Sequence, residues 1–149
     1  MNKELLSLNF VYCMERFATQ IYLTQRGAFS DTSYAQQLTA ASANEKEHVQ
    51  KFQAQIKKLS GNVYPLGFIF QSAGVMLGFI TRLTGKQNLF KADSFVEKRA
   101  VKDYNALIQN MKYDKSTIDL INGIIADEEI HIRNWKNAAE SLNKKPRSG

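Results

Sequence analysis

The chain has little of what staples or ligates small cysteine-rich domains. One cysteine, Cys13, occurs in 149 residues. That excludes a disulfide framework, a cysteine zinc site and a four-cysteine iron centre. The opening segment MNKELLSLNF has neither a long apolar core nor a small-residue cleavage site. The expectation is therefore a cytoplasmic protein without a secretion signal. No low-complexity linker marks a domain boundary, and no flavin or nicotinamide fingerprint occurs. Any electrons for redox chemistry must come from an external donor. Prolines number two, and histidine is as scarce, with only His48 and His131.

What is present suits one all-α domain. Apolar residues make up 44% of the chain and aromatics 11%, enough to build a core and to exclude intrinsic disorder. The apolar residues recur at helical spacing. The pattern predicts a helix over 3–26 that stops at Gly27. A second runs from an Asp31 cap to about 60, where Gly61 and Asn62 end it. A mostly apolar run over 66–83 follows Pro65 and closes at Gly85. Two more helices are expected over 88–111 and from Asp114 or Ser116 to 143. Residues 1–143 form a single domain, with 144–149 as a disordered basic tail.

Each histidine has a glutamate three residues earlier, in Glu45-Lys46-Glu47-His48 and Glu128-Glu129-Ile130-His131. Positions i and i+3 share a helix face, so each pair can reach one metal. The spacing selects Glu128 and leaves Glu129 for the surface. The other two long helices each carry a lone glutamate on an apolar face. Glu15 sits among Phe10, Val11, Phe17, Ala18 and Tyr22, and Glu97 among Phe90, Phe95, Val96, Val101 and Tyr104. The order repeats, with Glu45 following Glu15 and Glu128 following Glu97 at nearly equal separations. Two helical hairpins of this kind make a four-helix bundle.

A core glutamate is costly unless it is paired or metal-bound. A lone Glu-x-x-His usually lies on a solvated face, and a lone core glutamate is often salt-bridged. Here Arg16, Lys98 or Arg99 could be the partner. The joint pattern, in hairpin order, points instead to a carboxylate-bridged dimetal site. Its ligands are Glu15, Glu45, His48, Glu97, Glu128 and His131. Oxygen-rich ligands with one imidazole per metal suit two iron ions or manganese. Two divalent cations also balance four carboxylates that would otherwise repel.

These residues also spell a family pattern. Glu15-Arg-Phe-Ala18-Thr-Gln-Ile21-Tyr22-Leu-Thr-Gln25 resembles the first-helix motif of the demethoxyubiquinone hydroxylases. Asn44-Glu45-Lys46-Glu47-His48-Val49-Gln50-Lys51-Phe52 is similar to their second. Pro65-Leu66, Gly78 through Thr81 and Leu83-Thr-Gly85-Lys86 resemble their apolar connector. Val96-Glu97 with Tyr104-Asn105 and Ile108, and Asp127-Glu128-Glu129-Ile130-His131, are similar to the last two ligand helices. The chain departs from the family at Tyr12-Cys13-Met14, where His-Ala-Gly usually stands, and at Asp103, where mitochondrial-type members have His.

The resemblance implies a ferritin-like four-helix bundle with an extra apolar connector helix between helices two and three. It implies a di-iron monooxygenase of ubiquinone biosynthesis, using dioxygen and external electrons. The substrate would be a prenylated benzoquinone or quinol, demethoxyubiquinone, converted to demethylubiquinone. Tyr104, seven residues after Glu97 and on its face, would act near the irons. The alternatives are a bacterioferritin- or rubrerythrin-like ferroxidase, a di-iron oxygenase acting on another lipid, and a non-enzymatic basic bundle.

The run over 66–83 lies at the lower edge of a membrane span. Gly74-Val-Met-Leu-Gly78 within it lets another helix approach closely. By resemblance it dips into a bilayer; the plain alternative is a crossover packed on the bundle. The net charge of +6 draws the surface to anionic lipid or nucleic acid. No nucleic-acid motif accompanies it, so the expected partner is an anionic membrane, at the inner face of the cell membrane. A homo-oligomer is left open. Asp127 or Asp103 could orient a ligand histidine. Trp135 is read as core packing rather than an electron relay, and Cys13 as a small buried hydrophobe.

Overall fold

The computed structural model describes residues 2–30 and 32–144. The expected Asp31 cap and residues 145–149 of the expected 144–149 tail lie outside them, whereas Lys144 is the last residue of a helix. The described residues form five α-helices and no strand: α1 (Lys3–Gln25), α2 (Thr32–Lys58), α3 (Gly67–Leu83), α4 (Lys86–Asn110) and α5 (Lys115–Lys144). A single 3₁₀ turn, Arg26–Ala28, follows α1. The all-α, ferritin-like reading holds.

Local chemistry sets the helix starts. Asn2 Oδ1 accepts from the backbone N–H of Glu4 at 2.9 Å and begins α1. Asp114, rather than Ser116, caps α5 by accepting from Thr117 N at 2.8 Å. Gly85, at φ 92°, makes the sharp turn from α3 into α4. α4 starts two residues earlier than the sequence predicts, because this glycine lets the chain reverse at once.

Cross-helix bonds give the topology. Tyr22 and Gln25 of α1 meet Glu97 and Asp93 of α4, so these helices are antiparallel. His48 and Gln55 of α2 meet Asp127 and Thr117 of α5, again antiparallel. α2 and α4 therefore run the same way, and the chain must return along the bundle between them. α3 is that return, lying parallel to α1 on its outer side, with Gly67 against Arg16 and Arg82 against Gly27.

Glycines allow the contact. A Cβ on Gly78 would come within 2.8 Å of Ile21 O, and one on Gly74 would come closer still to Phe17 O. The predicted close approach is thus made by α1. Gly74→Val is expected to force the two helices apart, at a cost of about 1–3 kcal/mol. Thermal denaturation reads this; an unchanged midpoint would mean that α3 is not held by this contact.

The core falls into two apolar plugs. One is built around Ile21, Leu38, Phe90 and Trp135. The other contains Leu8, Phe52, Ile56, Ile121 and Ile124, together with Cys13 as expected. Each of the four bundle helices contributes to both plugs. The polar residues between the plugs form the site.

Candidate metal centre

Glu15, Glu45, His48, Glu97, Glu128 and His131 all lie mid-helix and converge between the plugs. All six are buried, and only His131 reaches 7% exposure. Their donor atoms form two groups. Glu15, Glu45, His48 and Glu128 make one, and Glu45, Glu97, Glu128 and His131 the other, with ligand atoms in each within 4.8 Å of one another. Glu129, by contrast, is exposed.

Glu45 and Glu128 belong to both groups, and their oxygens divide accordingly. Glu45 Oε2 is 3.4 Å from His48 Nδ1, while its Oε1 is 3.1 Å from His131 Nδ1. Glu128 Oε1 is 3.4 Å from His48 Nδ1, while its Oε2 is 3.0 Å from His131 Nδ1. Glu15 stands only on the His48 side, at 3.3 Å, and Glu97 only on the His131 side, at 3.6 Å. The sequence left open whether Glu128 serves one position or two. Its two oxygens face both.

The electrostatics fit a cation. Burial, then the repulsion of Glu45, pushes the Glu15 carboxyl well above its ordinary range. Burial and the charge on Glu128 push Glu97 up to about 8. Burial opposes charge on His131, but hydrogen bonds to Glu128, Glu45 and Glu97 overcome it and push the imidazole up to about 12. His48 is raised in the same way, against burial, by Glu128, Glu15 and Glu45. Glu45 alone is lowered: hydrogen bonds with Glu15, His131 and His48 outweigh its burial. With no cation, protons must neutralise the carboxylates. One oxygen stays unmet, since Glu45 Oε1 is buried without an aligned hydrogen bond. Dications between the two histidines would satisfy these groups together, and the all-carboxylate and imidazole donor set suits iron or manganese.

The salt-bridge alternative finds no support in the arginines. Arg16 donates to Tyr12 Oη at 3.1 Å and to Gln71 Oε1 at 2.5 Å. Arg99 pairs with Asp103 at 2.8 Å. That pairing also removes Asp103 as a partner for a ligand histidine. Asp127 is the one placed for it, its Oδ2 lying 3.0 Å from His48 Nε2. By accepting from Nε2–H, Asp127 would leave the Nδ1 lone pair for a cation held among the carboxylates.

Tyr104 is buried beside the cluster, stacked on Phe52 with ring centres 6.0 Å apart. A second tyrosine was not foreseen from the sequence. Tyr22 donates to Glu97 Oε1, and Trp135 Nε1 in turn donates to Tyr22 Oη at 3.3 Å. The signal was available: Tyr22 follows Glu15 by the same seven residues that separate Tyr104 from Glu97. Trp135 itself is core, as expected, packed on Phe90 at 5.5 Å.

A cavity of about 190 Å³ opens between α1 and α4 and ends on this cluster. Its walls include Phe10, Val11, Met14, Phe95 and Val96, with Leu77 of α3. Glu15, Glu97, Glu128 and Tyr104 also line it, as do Arg99 and Asp103. The arrangement gives an apolar molecule access to a buried polar centre.

The family model for "Ubiquinone biosynthesis protein COQ7" matches residues 13–146. No curated protein and no solved structure matches the chain significantly.

Proposed function

Because the chain belongs to the COQ7 family of ubiquinone biosynthesis proteins, the demethoxyubiquinone hydroxylases of the ferritin-like superfamily, we propose that it hydroxylates a prenylated benzoquinol, converting demethoxyubiquinol to demethylubiquinol. The observation that carries this reading is the apolar cavity ending on the carboxylate–histidine cluster. A soluble iron-storing shell would have no use for such a wall.

Two irons held by Glu15, Glu45, His48, Glu97, Glu128 and His131 would supply the reduction of dioxygen that ring hydroxylation requires, with electrons from an external donor. The chain's own residues prepare the site. Phe10, Val11, Met14, Phe95 and Val96 hold the apolar ring and exclude water. The Tyr104 hydroxyl, on α4 in the cavity wall, is suited to donate to a ring oxygen. Tyr22 fixes one oxygen of Glu97. Asp127 fixes the tautomer of His48.

The test is product analysis with isotopically heavy dioxygen, reduced iron-loaded protein and a short-chain demethoxyubiquinol. One heavy oxygen atom is expected in the product. A loaded protein that consumes dioxygen without labelling any quinol would remove this reading in favour of iron oxidation.

The reading includes membrane association. No helix of the described residues is long and apolar enough to cross a membrane. Yet Phe68, Ile69, Met76, Phe79, Ile80 and Leu83 of α3 are all at least half exposed. Such a face suits an interfacial helix lying along a bilayer. Phe10 and Phe95, beside the cavity, are exposed as well. Phe68→Asp/Phe79→Asp is expected to weaken flotation with anionic vesicles at least tenfold, since each buried Phe contributes about 1.5–3 kcal/mol. Equal flotation of both proteins would move the contact elsewhere.

A further inference from the structure

A second opening reaches the cluster from the other side, and its lining is more polar than that of the first. A groove of about 330 Å³ lies between α2 and α5, lined by Gln37, Asn44, Asp127, His131 and Asn134 among others. It ends on His131, the most exposed of the six convergent residues. At its side stands Asp127, whose side chain is 35% exposed while its Oδ2 bonds His48 Nε2. One carboxylate thus touches both solvent and the imidazole of the opposite group.

We propose that this groove is the route by which divalent metal ions reach the centre, with Asp127 the first anionic group they meet. The inference rests on the metal-centre reading above.

A hydrated dication surrenders water only where other oxygens replace it. The cavity between α1 and α4 offers it mostly aromatic and aliphatic wall, and stripping a charge against such a wall is prohibitive. Arg99 and Asp103 stand there as a closed ion pair, so that opening presents no free carboxylate at its mouth. Among Ala40, Ala41 and Ile130, the α2–α5 groove offers the side-chain amides of Gln37, Asn44 and Asn134, the Asp127 carboxylate and His131. Ions delivered there meet Glu45 and Glu128, whose oxygens face both metal positions. Filling can therefore proceed from one side. The chain is basic overall, at +6, so a local carboxylate in a groove that no lysine or arginine lines gives a cation its favourable approach. Metal and organic substrate then use opposite faces of the bundle.

The experiment is anaerobic stopped-flow uptake of cobalt(II) by the metal-free protein, followed by the absorption of the bound ion. Asn134 is exposed, so Asn134→Lys puts a fixed cation in the groove without disturbing the core. Uptake is expected to slow about tenfold at low salt, the lower end of electrostatic steering effects. The difference should shrink toward 1 M salt, where the screening length falls to about 3 Å. The final cobalt content and spectrum should match the wild type. Arg99→Glu, at the other opening, is expected to leave the uptake rate unchanged. An unaltered rate in Asn134→Lys, or faster uptake in Arg99→Glu, would overturn the route and assign it to the cavity between α1 and α4. A wild type that binds no cobalt at equilibrium would overturn the metal centre itself, and the final spectrum separates that failure from the other.

Discussion

Alanine at both Glu45 and Glu128 is expected to reduce iron binding from two ions per chain to fewer than one. Among the described residues these two alone belong to both ligand groups, and each directs one oxygen toward each histidine. Their loss removes two of the four carboxylates, leaving Glu15 and Glu97 to balance two dications. An anaerobic ferrous titration of wild type and variant measures the change directly. Quinol hydroxylation should fall with it, below detection. Glu129→Ala serves as the control, since Glu129 is exposed, and it should bind iron as the wild type does. Equal iron in the double variant and the wild type would make the glutamates structural, and the hydroxylase reading would fall with them.

A second large effect is expected from a residue outside the centre. Asp93 is 1% exposed, and burial pushes its carboxyl up to about 8, against a hydrogen bond from Gln25 that lowers it. Gln25 Nε2 donates to Asp93 Oδ1 at 2.7 Å and to Thr81 Oγ1 at 2.9 Å. Gln25 Oε1 and Asp93 Oδ2 are left buried without hydrogen bonds.

Below about pH 4 the carboxyl is protonated in both folded and unfolded chains and costs nothing. Between there and about pH 8 the unfolded chain releases its proton and the folded one keeps it. Stability is therefore lost as pH rises through this window, by up to about 1.4 kcal/mol per unit. Asp93→Asn carries no such proton, and its amide can donate to Gln25 Oε1. Urea denaturation of the two proteins at pH 5, 6, 7 and 8 should show the variant gaining on the wild type at each step. A constant difference would mean that Asp93 is ionised in the folded protein throughout.

The six convergent residues were legible because metal chemistry narrows the residue types and a helix fixes their spacing. A histidine three residues after a glutamate, on each of two helices, puts matched donors on facing surfaces. The lone glutamates stood out because burying one is expensive. Gly74 and Gly78 announced a close helix contact, although only the structure identifies α1 as the partner.

The remaining features were hidden for physical reasons. Tyr22 sits on an apolar face where a tyrosine and a phenylalanine serve packing equally well, so its bond to Glu97 left no mark in the pattern. Asp127 and Asp103 were equivalent candidates until docking of α5 on α2 set Asp127 against His48; Asp103 pairs with Arg99, one turn back on its own helix. Asp93 and Gln25 are ordinary surface residues by type. They become a buried pair only when α1 docks on α4 and Thr81 of α3 closes over Gln25, a long-range event that local periodicity does not encode.

That placement of α3 bears on how a substrate would find the protein. Leu77 of α3 shares the cavity wall with residues of α1 and α4, while neighbouring positions on α3 present Met76, Phe79 and Ile80 outward. On the proposed reading, a prenylated quinol dissolved in a bilayer against that face would search a plane rather than a volume. Its encounter rate would then follow its fraction among the lipids, not its vanishing concentration in water, and a longer isoprenoid tail would cease to be an obstacle to turnover.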